Sequence, residues 1–163
     1  MHSEPGHEAG RVKARPVLKL RARALQALAR RELSRAELHA KLLPHVVETD
    51  DVVALLDDLQ KRGWLSDARA MEQIVSIRRR RFGTQRITHE LRQKGISDDL
   101  ISTVVLDLKQ GELESAREVW QKKFDVPPQE QKEKARQIRF LQSRGFSMEV
   151  IFKVLKMTDE YES

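Results

Sequence analysis

Basic side chains are concentrated in one stretch of the chain, residues 77–96, which reads IRRRRFGTQRITHELRQKGI. Its cations are Arg78, Arg79, Arg80, Arg81, Arg86, Arg92 and Lys94, and its one acidic residue is Glu90. A cluster this dense suits binding to a polyanion or to an acidic protein surface. The alternative is a pair of solvated, charged helices without a partner, and this stretch is equally compatible with either interpretation.

The four consecutive arginines cannot share one face of a helix, because at about 100° per residue they span about 300°. The apolar face of the helix leading into the run consists of Ala68, Met71, Ile74, Val75 and Phe82. Arg78 falls within that face, so we expect its methylene groups to pack along the core and its guanidinium to hydrogen-bond to a carboxylate or water. We expect Arg79, Arg80 and Arg81 to point outward, which makes them the better candidates for contacting a partner.

Further basic residues extend this candidate surface for a protein or nucleic-acid partner. Arg86, Arg92 and Lys94 lie on the following helix, and Arg35 and Lys41 lie nearer the N-terminus. Residues 68–94 carry a net charge of +6, whereas the flanking blocks 46–67 and 95–130 each carry −4. This alternation favours a basic face on particular helices over a uniformly basic coat.

Residues that would support catalysis or metal binding are missing from the sequence. There is no cysteine and no glycine-rich phosphate loop, and no His-x-x-x-His, paired-carboxylate or Ser/His/Asp pattern stands out. His39, His45 and His89 are isolated from one another. We therefore expect no enzymatic activity, no cofactor and no metal site.

The composition favours helices and a soluble protein. The 163 residues are 34% charged and 5% aromatic, with 7 glycines and 5 prolines. No apolar run approaches the length that spans a bilayer, and no signal-peptide core is present. We expect a cytoplasmic monomer. Residues 1–16 lack apolar periodicity and are predicted to form a disordered basic arm.

Helix signals divide the first part of the chain into three segments. A helix over 17–31 places Leu18, Ala22, Leu25, Leu28 and Ala29 on one face. Ser34 and Glu37 form a predicted capping box for a second helix, which carries Leu38, Leu42 and Leu43 and stops at Pro44. Thr49 is predicted to cap a third helix that buries Val52, Val53, Leu56 and Leu59.

The same signals for helix starts and helix ends recur along the chain. The caps and following apolar pairs at 49–53, 97–101 and 147–151 match one another, with offsets of 48 and 50 residues. Gly95 and Gly145 are predicted to end the second helix of their units in a left-handed conformation. Trp64 is predicted to pack where the first two units meet. We predict an all-α fold of three tandem three-helix repeats, 17–65, 66–111 and 112–158, stacked into an elongated, curved array, with a frayed tail at 159–163.

The sequence resembles the RecX family, bacterial regulators of the recombinase RecA, over about residues 18–157. The resemblance rests on Ser34-x-x-Glu37-Leu38-x-x-Lys41-Leu42, on Gly63-Trp64-Leu65-Ser66-Asp67-x-Arg69, on Arg78, Gly83 and Arg86-Ile87-x-x-Glu90-Leu91-x-x-Lys94-Gly95-Ile96, and on Arg139-Phe140-Leu141-x-x-Arg144-Gly145-Phe146. The chain departs from the family pattern at Ala70, where an aromatic residue is usual, and in the segment just before Gly83.

The resemblance implies a non-enzymatic protein that binds in the groove of the RecA–DNA filament. Such a protein would limit filament growth, ATP hydrolysis, strand exchange and the SOS response, with RecA and single-stranded or double-stranded DNA as partners. Two other functions stay open on the residues alone: a free-standing DNA-binding protein, and a helical scaffold for another partner. Asp50-Asp51 and Asp98-Asp99, which open two third helices, argue against inserting those helix ends beside DNA.

Overall fold

The computed structural model describes residues 19–160, and within that range it contains eight α-helices and no strand, which confirms the all-α prediction. The helices are α1 (Leu20–Arg30), α2 (Arg35–Leu42), α3 (Val52–Lys61), α4 (Asp67–Arg78), α5 (Thr84–Gln93), α6 (Asp98–Lys123), α7 (Gln131–Ser143) and α8 (Met148–Glu160). The predicted arm, 1–16, lies outside the described residues. So does 161–163 of the predicted tail, whereas Asp159 and Glu160 belong to α8.

Side-chain caps determine where several helices begin. Ser34 and Glu37 form the predicted capping box, with the Ser34 hydroxyl accepting from the Glu37 amide at 3.0 Å. The Ser97 hydroxyl caps α6 by accepting from the Leu100 amide, and the Ser147 hydroxyl accepts from the Val150 amide at the start of α8. The predicted Thr49 cap is wrong, because Asp51 caps α3 by accepting from the Ala54 amide.

Two predicted helix faces are wrong in detail. On α1 the core takes Leu20 and Ala24, while Leu25 is 37% exposed. On α3, Val52 packs against the core but Val53 is exposed, because about 100° of helical rotation separates neighbouring residues. Leu43, expected in the core, is also exposed, because α2 passes into a 3-10 turn at Leu43–His45.

The helices form three separate hydrophobic cores in chain order. Leu38, Leu56 and Leu59 lie in the first, and Ile87 and Leu91 lie in the second. The third contains Trp120, Leu141, Phe146, Ile151 and Val154. Because each core is built from helices that are consecutive in the chain, the fold is a series of stacked helical units.

The second and third units share a helix. α6 runs without interruption through 26 residues, and its first half packs in the second core with α5 while its second half packs in the third core with α8. The predicted boundary at 111–112 therefore falls inside α6. A continuous helix holds these two units together more rigidly than a loop would, and it fixes the position of its C-terminal lysines relative to α7.

A repeated junction joins each unit to the next. The N-cap of α2 meets the last turn of α5, where the Ser34 hydroxyl donates to the Lys94 carbonyl at 2.5 Å. Similarly, the N-cap of α5 meets the last turn of α7, where the Gly83 amide donates to the Arg144 carbonyl at 2.8 Å. Gly95 and Gly145 close these turns with φ of +76° and +88°, a conformation that favours glycine.

Candidate partner-binding surface

A surface groove lies where the second unit meets the third, and it is surrounded by basic side chains. Its volume is about 380 Å³, and its lining residues are Arg80, Arg81, Glu118, Val119, Lys122, Lys123, Phe140 and Arg144. We call this set the basic groove. Five of the eight are cationic and only Glu118 is acidic, so the groove favours an anionic partner.

Arg80 and Arg81 are carried by a turn rather than by a helix. α4 ends at Arg78, and the amides of Arg81 and Phe82 both donate to the Arg78 carbonyl at 3.0 Å. Both arginine side chains are exposed, and neither forms a hydrogen bond or ion pair within residues 19–160. They are therefore available to a partner without breaking an existing ion pair.

Arg144 is held between two aromatic rings at the edge of the groove. Its guanidinium lies 5.4 Å from the centre of the Phe82 ring and 5.1 Å from that of Phe140. The Phe140 ring also packs edge-on against Phe124, with ring centres 5.4 Å apart. These cation–π contacts position a third-unit cation beside the second-unit arginines.

Arg78 makes a two-point contact with Glu90 across the second unit. Its Nε and Nη2 donate to the two carboxylate oxygens at 3.2 and 3.3 Å, while Lys94 lies 3.5 Å from the same carboxylate. The Arg78 side chain is half-buried and also lies over the Phe82 ring. Glu90 thus links the end of α4 to the end of α5.

Replacing Arg78 with alanine should lower the free energy of unfolding by about 1 kcal/mol. The change removes the packed stem and leaves the Glu90 carboxylate without its two-point partner. Arg80→Ala, on the adjoining turn, is the matched control and should stay within about 0.5 kcal/mol of wild type. Urea unfolding followed by circular dichroism measures both, and equal losses would contradict a supporting role for Arg78.

Arg79 differs from its two neighbours in the run. Its Nη2 lies 3.1 Å from the Asp107 carboxylate on α6, and the half-exposed side chain passes close to Gly111. The sequence pattern grouped Arg79 with the two outward arginines. In the structure it already has a carboxylate partner, so the arginines without ion pairs in this run are Arg80 and Arg81.

The predicted contact residues on α5 have protein partners as well. Arg86 lies over the Phe82 ring at 4.2 Å and donates to the Ser143 carbonyl at 3.1 Å, across the junction with the third unit. Arg92 pairs with Asp98 at 3.1 Å and is exposed. The structure therefore brings Arg80 and Arg81 together with Arg144, and leaves Arg92 outside the groove.

The predicted contact residues of the first unit lie apart from the groove. Arg35 donates to Asp57 at 2.7 Å and to Gln60, whereas Lys41 is exposed and lines a separate cleft. Both belong to α2, away from the junction of the second and third units. They do not contribute to the basic groove.

Trp64 lies on the surface rather than in the joint between the first two units. Its side chain is 45% exposed, and Leu65 is the residue that fills the first core. The guanidinium carbons of Arg21 and Arg62 lie 5.7 and 5.3 Å from the Trp64 ring centre. Hydrogen bonds from these two arginines also lower the pKa of Asp58 below its ordinary value.

Comparison with known sequences decides the family. Sequence models for the second and third three-helix domains of RecX match residues 66–105 and 110–155. Regulatory protein RecX of Leptothrix cholodnii is 49% identical over 145 residues, which are 89% of this chain and 92% of that protein. The chain belongs to the RecX family. Regulatory protein RecX of Ralstonia nicotianae is 43% identical, with 89% and 91% of the two chains covered.

Solved RecX structures have the same fold. RecX from Lactobacillus salivarius superposes with a TM-score of 0.72 at 19% identity, covering 88% of this chain and 96% of that one. A second regulatory protein RecX superposes with a TM-score of 0.69. The tandem three-helix arrangement is thus retained where most side chains differ. RecX is a family of regulatory proteins rather than of enzymes.

The basic groove includes three cations that were not among the residues predicted to contact a partner. Lys122 and Lys123 stand at the end of α6, and Arg144 closes α7. The adjacent Lys122-Lys123 pair was a visible signal, but only the folded junction places it beside Arg80.

Among the described residues, no helix is both long enough and apolar enough to cross a bilayer.

Proposed function

We propose that this RecX-family protein binds the filament that the recombinase RecA forms on DNA and limits its activity there. It would act as a monomer, without catalysis of its own, to restrain filament growth, ATP hydrolysis, strand exchange and the SOS response. The basic groove would be its contact with the filament. The supporting observation is the convergence of five cations, among which Arg80 and Arg81 have no ion pair within the described chain.

The shape of the fold is compatible with this role. An array of three units with separate cores presents a long surface for its mass, and such a surface can follow the groove of a helical filament. The basic groove lies at the junction of the second and third units, where the shared α6 holds its two sides together. Binding there would rest on electrostatic complementarity with acidic RecA side chains or DNA phosphates.

The double change Arg80→Ala/Arg81→Ala should weaken inhibition of the ATPase of RecA on single-stranded DNA. Losing two accessible cations should raise the half-inhibitory concentration about tenfold, which corresponds to about 1.4 kcal/mol of binding free energy. The assay titrates each protein into preformed RecA filaments and follows ATP hydrolysis. Folding of the variant should be unchanged, since both side chains are exposed.

Lys132→Ala/Lys134→Ala is the matched control, because it removes two charges from exposed positions at the start of α7. These positions lie about 12 and 9 Å along the helix from Phe140, at 1.5 Å per residue. The control should inhibit as wild type does. If wild-type protein does not inhibit at micromolar concentration, the proposed function is wrong. Full binding to bare DNA without inhibition would favour the free-standing DNA-binding alternative.

A further inference from the structure

A second group of cations lies in the first unit, in a cleft between α1 and the end of α2. The cleft has a volume of about 230 Å³ and is lined by Arg23, Gln26, Ala27, Arg30, Lys41, Leu42 and His45. Three of these residues are cationic, and none is acidic. The cleft shares no residue with the basic groove, which is built from the second and third units.

The helical register brings these cations together. Arg23, Ala27 and Arg30 follow one another at spacings of four and three residues, which places them on one face of α1. Lys41 stands in the last turn of α2, and His45 ends the 3-10 turn that follows. Two helices therefore supply cations to one cleft from opposite sides.

These cations differ from the other arginines of the first unit in having no carboxylate partner. Arg21 pairs with Asp58 at 2.8 Å, and Arg35 pairs with Asp57 at 2.7 Å. By contrast, the side chains of Arg23, Arg30 and Lys41 form no hydrogen bond or ion pair with residues 19–160. Within the described residues, no carboxylate therefore neutralises the positive charge of the cleft.

Arg23 also carries a buried donor without an acceptor. Its Nε is shielded from solvent and has no hydrogen-bond partner within the described chain. A buried donor left unpaired is unfavourable, so this side chain gains from turning toward an acceptor. An anion in the cleft would provide that acceptor, and the Gln26 amide and the Lys41 ammonium could donate to the same group.

We propose that this cleft binds a phosphate group of a single-stranded DNA backbone. Guanidinium groups match the geometry of phosphate oxygens, and the absence of acidic residues leaves the charge of the cleft available. Residues 19–45, which include the cleft, contain seven Lys or Arg and two Glu, and this net charge of +5 adds long-range attraction for a polyanion. The site adds a nucleic-acid contact to the proposed function and does not require RecA.

The test compares two double variants in binding to a fluorescent oligothymidylate, measured by anisotropy across a salt series without RecA. Arg30→Gln/Lys41→Gln removes two charges from the cleft. Lys61→Gln/Arg139→Gln removes one lysine and one arginine from exposed positions on α3 and α7. Losing one phosphate contact should reduce the log–log salt slope of the cleft variant by about 0.7. The control should change that slope by less than half as much.

Equal slopes for the two double variants would overturn the proposal, because the cleft would then act only through net charge. An unchanged DNA slope with weaker binding to DNA-free RecA would also overturn it, in favour of an acidic protein partner. Thermal melts establish that both variants fold. If either does not, the single pair Lys41→Gln and Lys61→Gln makes the same comparison, since both lysines stand in the last turn of a helix. Failure of the proposed function itself is measured separately, by the RecA ATPase assay.

Discussion

Gly145→Ala should lower the free energy of unfolding of the third unit by roughly 2–5 kcal/mol. Alanine at the φ of +88° costs about 1–2 kcal/mol. A Cβ at this position would also meet the Cβ and backbone nitrogen of Arg86 on α5, well inside van der Waals contact. Relieving that overlap adds about 1–3 kcal/mol and pushes the third unit away from the second.

Gly63→Ala provides the matched control for this prediction. Gly63 has a similar φ of +75°, but a Cβ added there would meet no atom within 4 Å. It should therefore show only the backbone cost of about 1–2 kcal/mol. Urea unfolding followed by tryptophan fluorescence in a Trp64→Phe background, which leaves Trp120 of the third core as the remaining tryptophan, measures the effect at Gly145. Circular dichroism measures the control, and equal losses would show that the contact with Arg86 contributes nothing.

The effect at Gly145 should extend to partner binding. Arg144 precedes this glycine, and its carbonyl accepts from the Gly83 amide at 2.8 Å. A displaced junction would move Arg144 away from Arg80 and Arg81 and widen the basic groove. We therefore expect the Gly145→Ala protein, at temperatures where it remains folded, to inhibit RecA less than Gly63→Ala does. This expectation rests on the proposed function.

Gln137→Leu should destabilise the third unit by about 2–3 kcal/mol. Gln137 is buried, and its side-chain oxygen accepts from the Trp120 indole N–H at 2.8 Å. Its amide nitrogen donates to the Val126 carbonyl at 3.1 Å. Leucine cannot replace either bond, so the buried indole N–H loses its partner at a cost of about 1–3 kcal/mol, and the loop after α6 loses its link to α7.

Gln142→Leu, an identical change at an exposed position on the same helix, should stay within about 0.5 kcal/mol of wild type. The double variant Gln137→Leu/Trp120→Phe should lose less free energy of unfolding than the sum of the losses in the two single variants. The reason is that the double variant no longer contains the unpaired indole N–H. Urea unfolding followed by circular dichroism completes this double-mutant cycle. If the losses of free energy of unfolding in the two single variants sum to that of the double variant, the hydrogen bond between Trp120 and Gln137 contributes nothing to stability.

Local signals in the sequence determined the helices and their repetition. The capping box of Ser34 and Glu37 depends only on residues three apart, so it is readable without the fold. The left-handed glycines Gly95 and Gly145 are equally local, because a helix ending in this conformation strongly prefers glycine. These signals were sufficient for the prediction of an all-α fold with a repeated unit.

The buried face of α1 could be decided only by the tertiary structure. Small and apolar residues occur around much of that helix, so faces centred on Ala22 and on Ala24 are both amphipathic in sequence. Packing against α2 and α3 buries Leu20 and Ala24 and leaves Leu25 on the surface. Similarly, the continuity of α6 through 111–112 follows from packing on both α5 and α8.

The basic groove likewise depends on contacts between residues distant in sequence. The density of arginine predicted a partner-binding surface at residues 78–81. Helical periodicity alone could not show that the helix ends at Arg78 or that Arg79 pairs with Asp107. Nor could it place Lys122, Lys123 and Arg144 beside the turn. Ion pairs and grooves form between elements, so their geometry is settled only when the units stack. The sequence determined how many cations were available, and the tertiary structure decided which of them remain free for a partner.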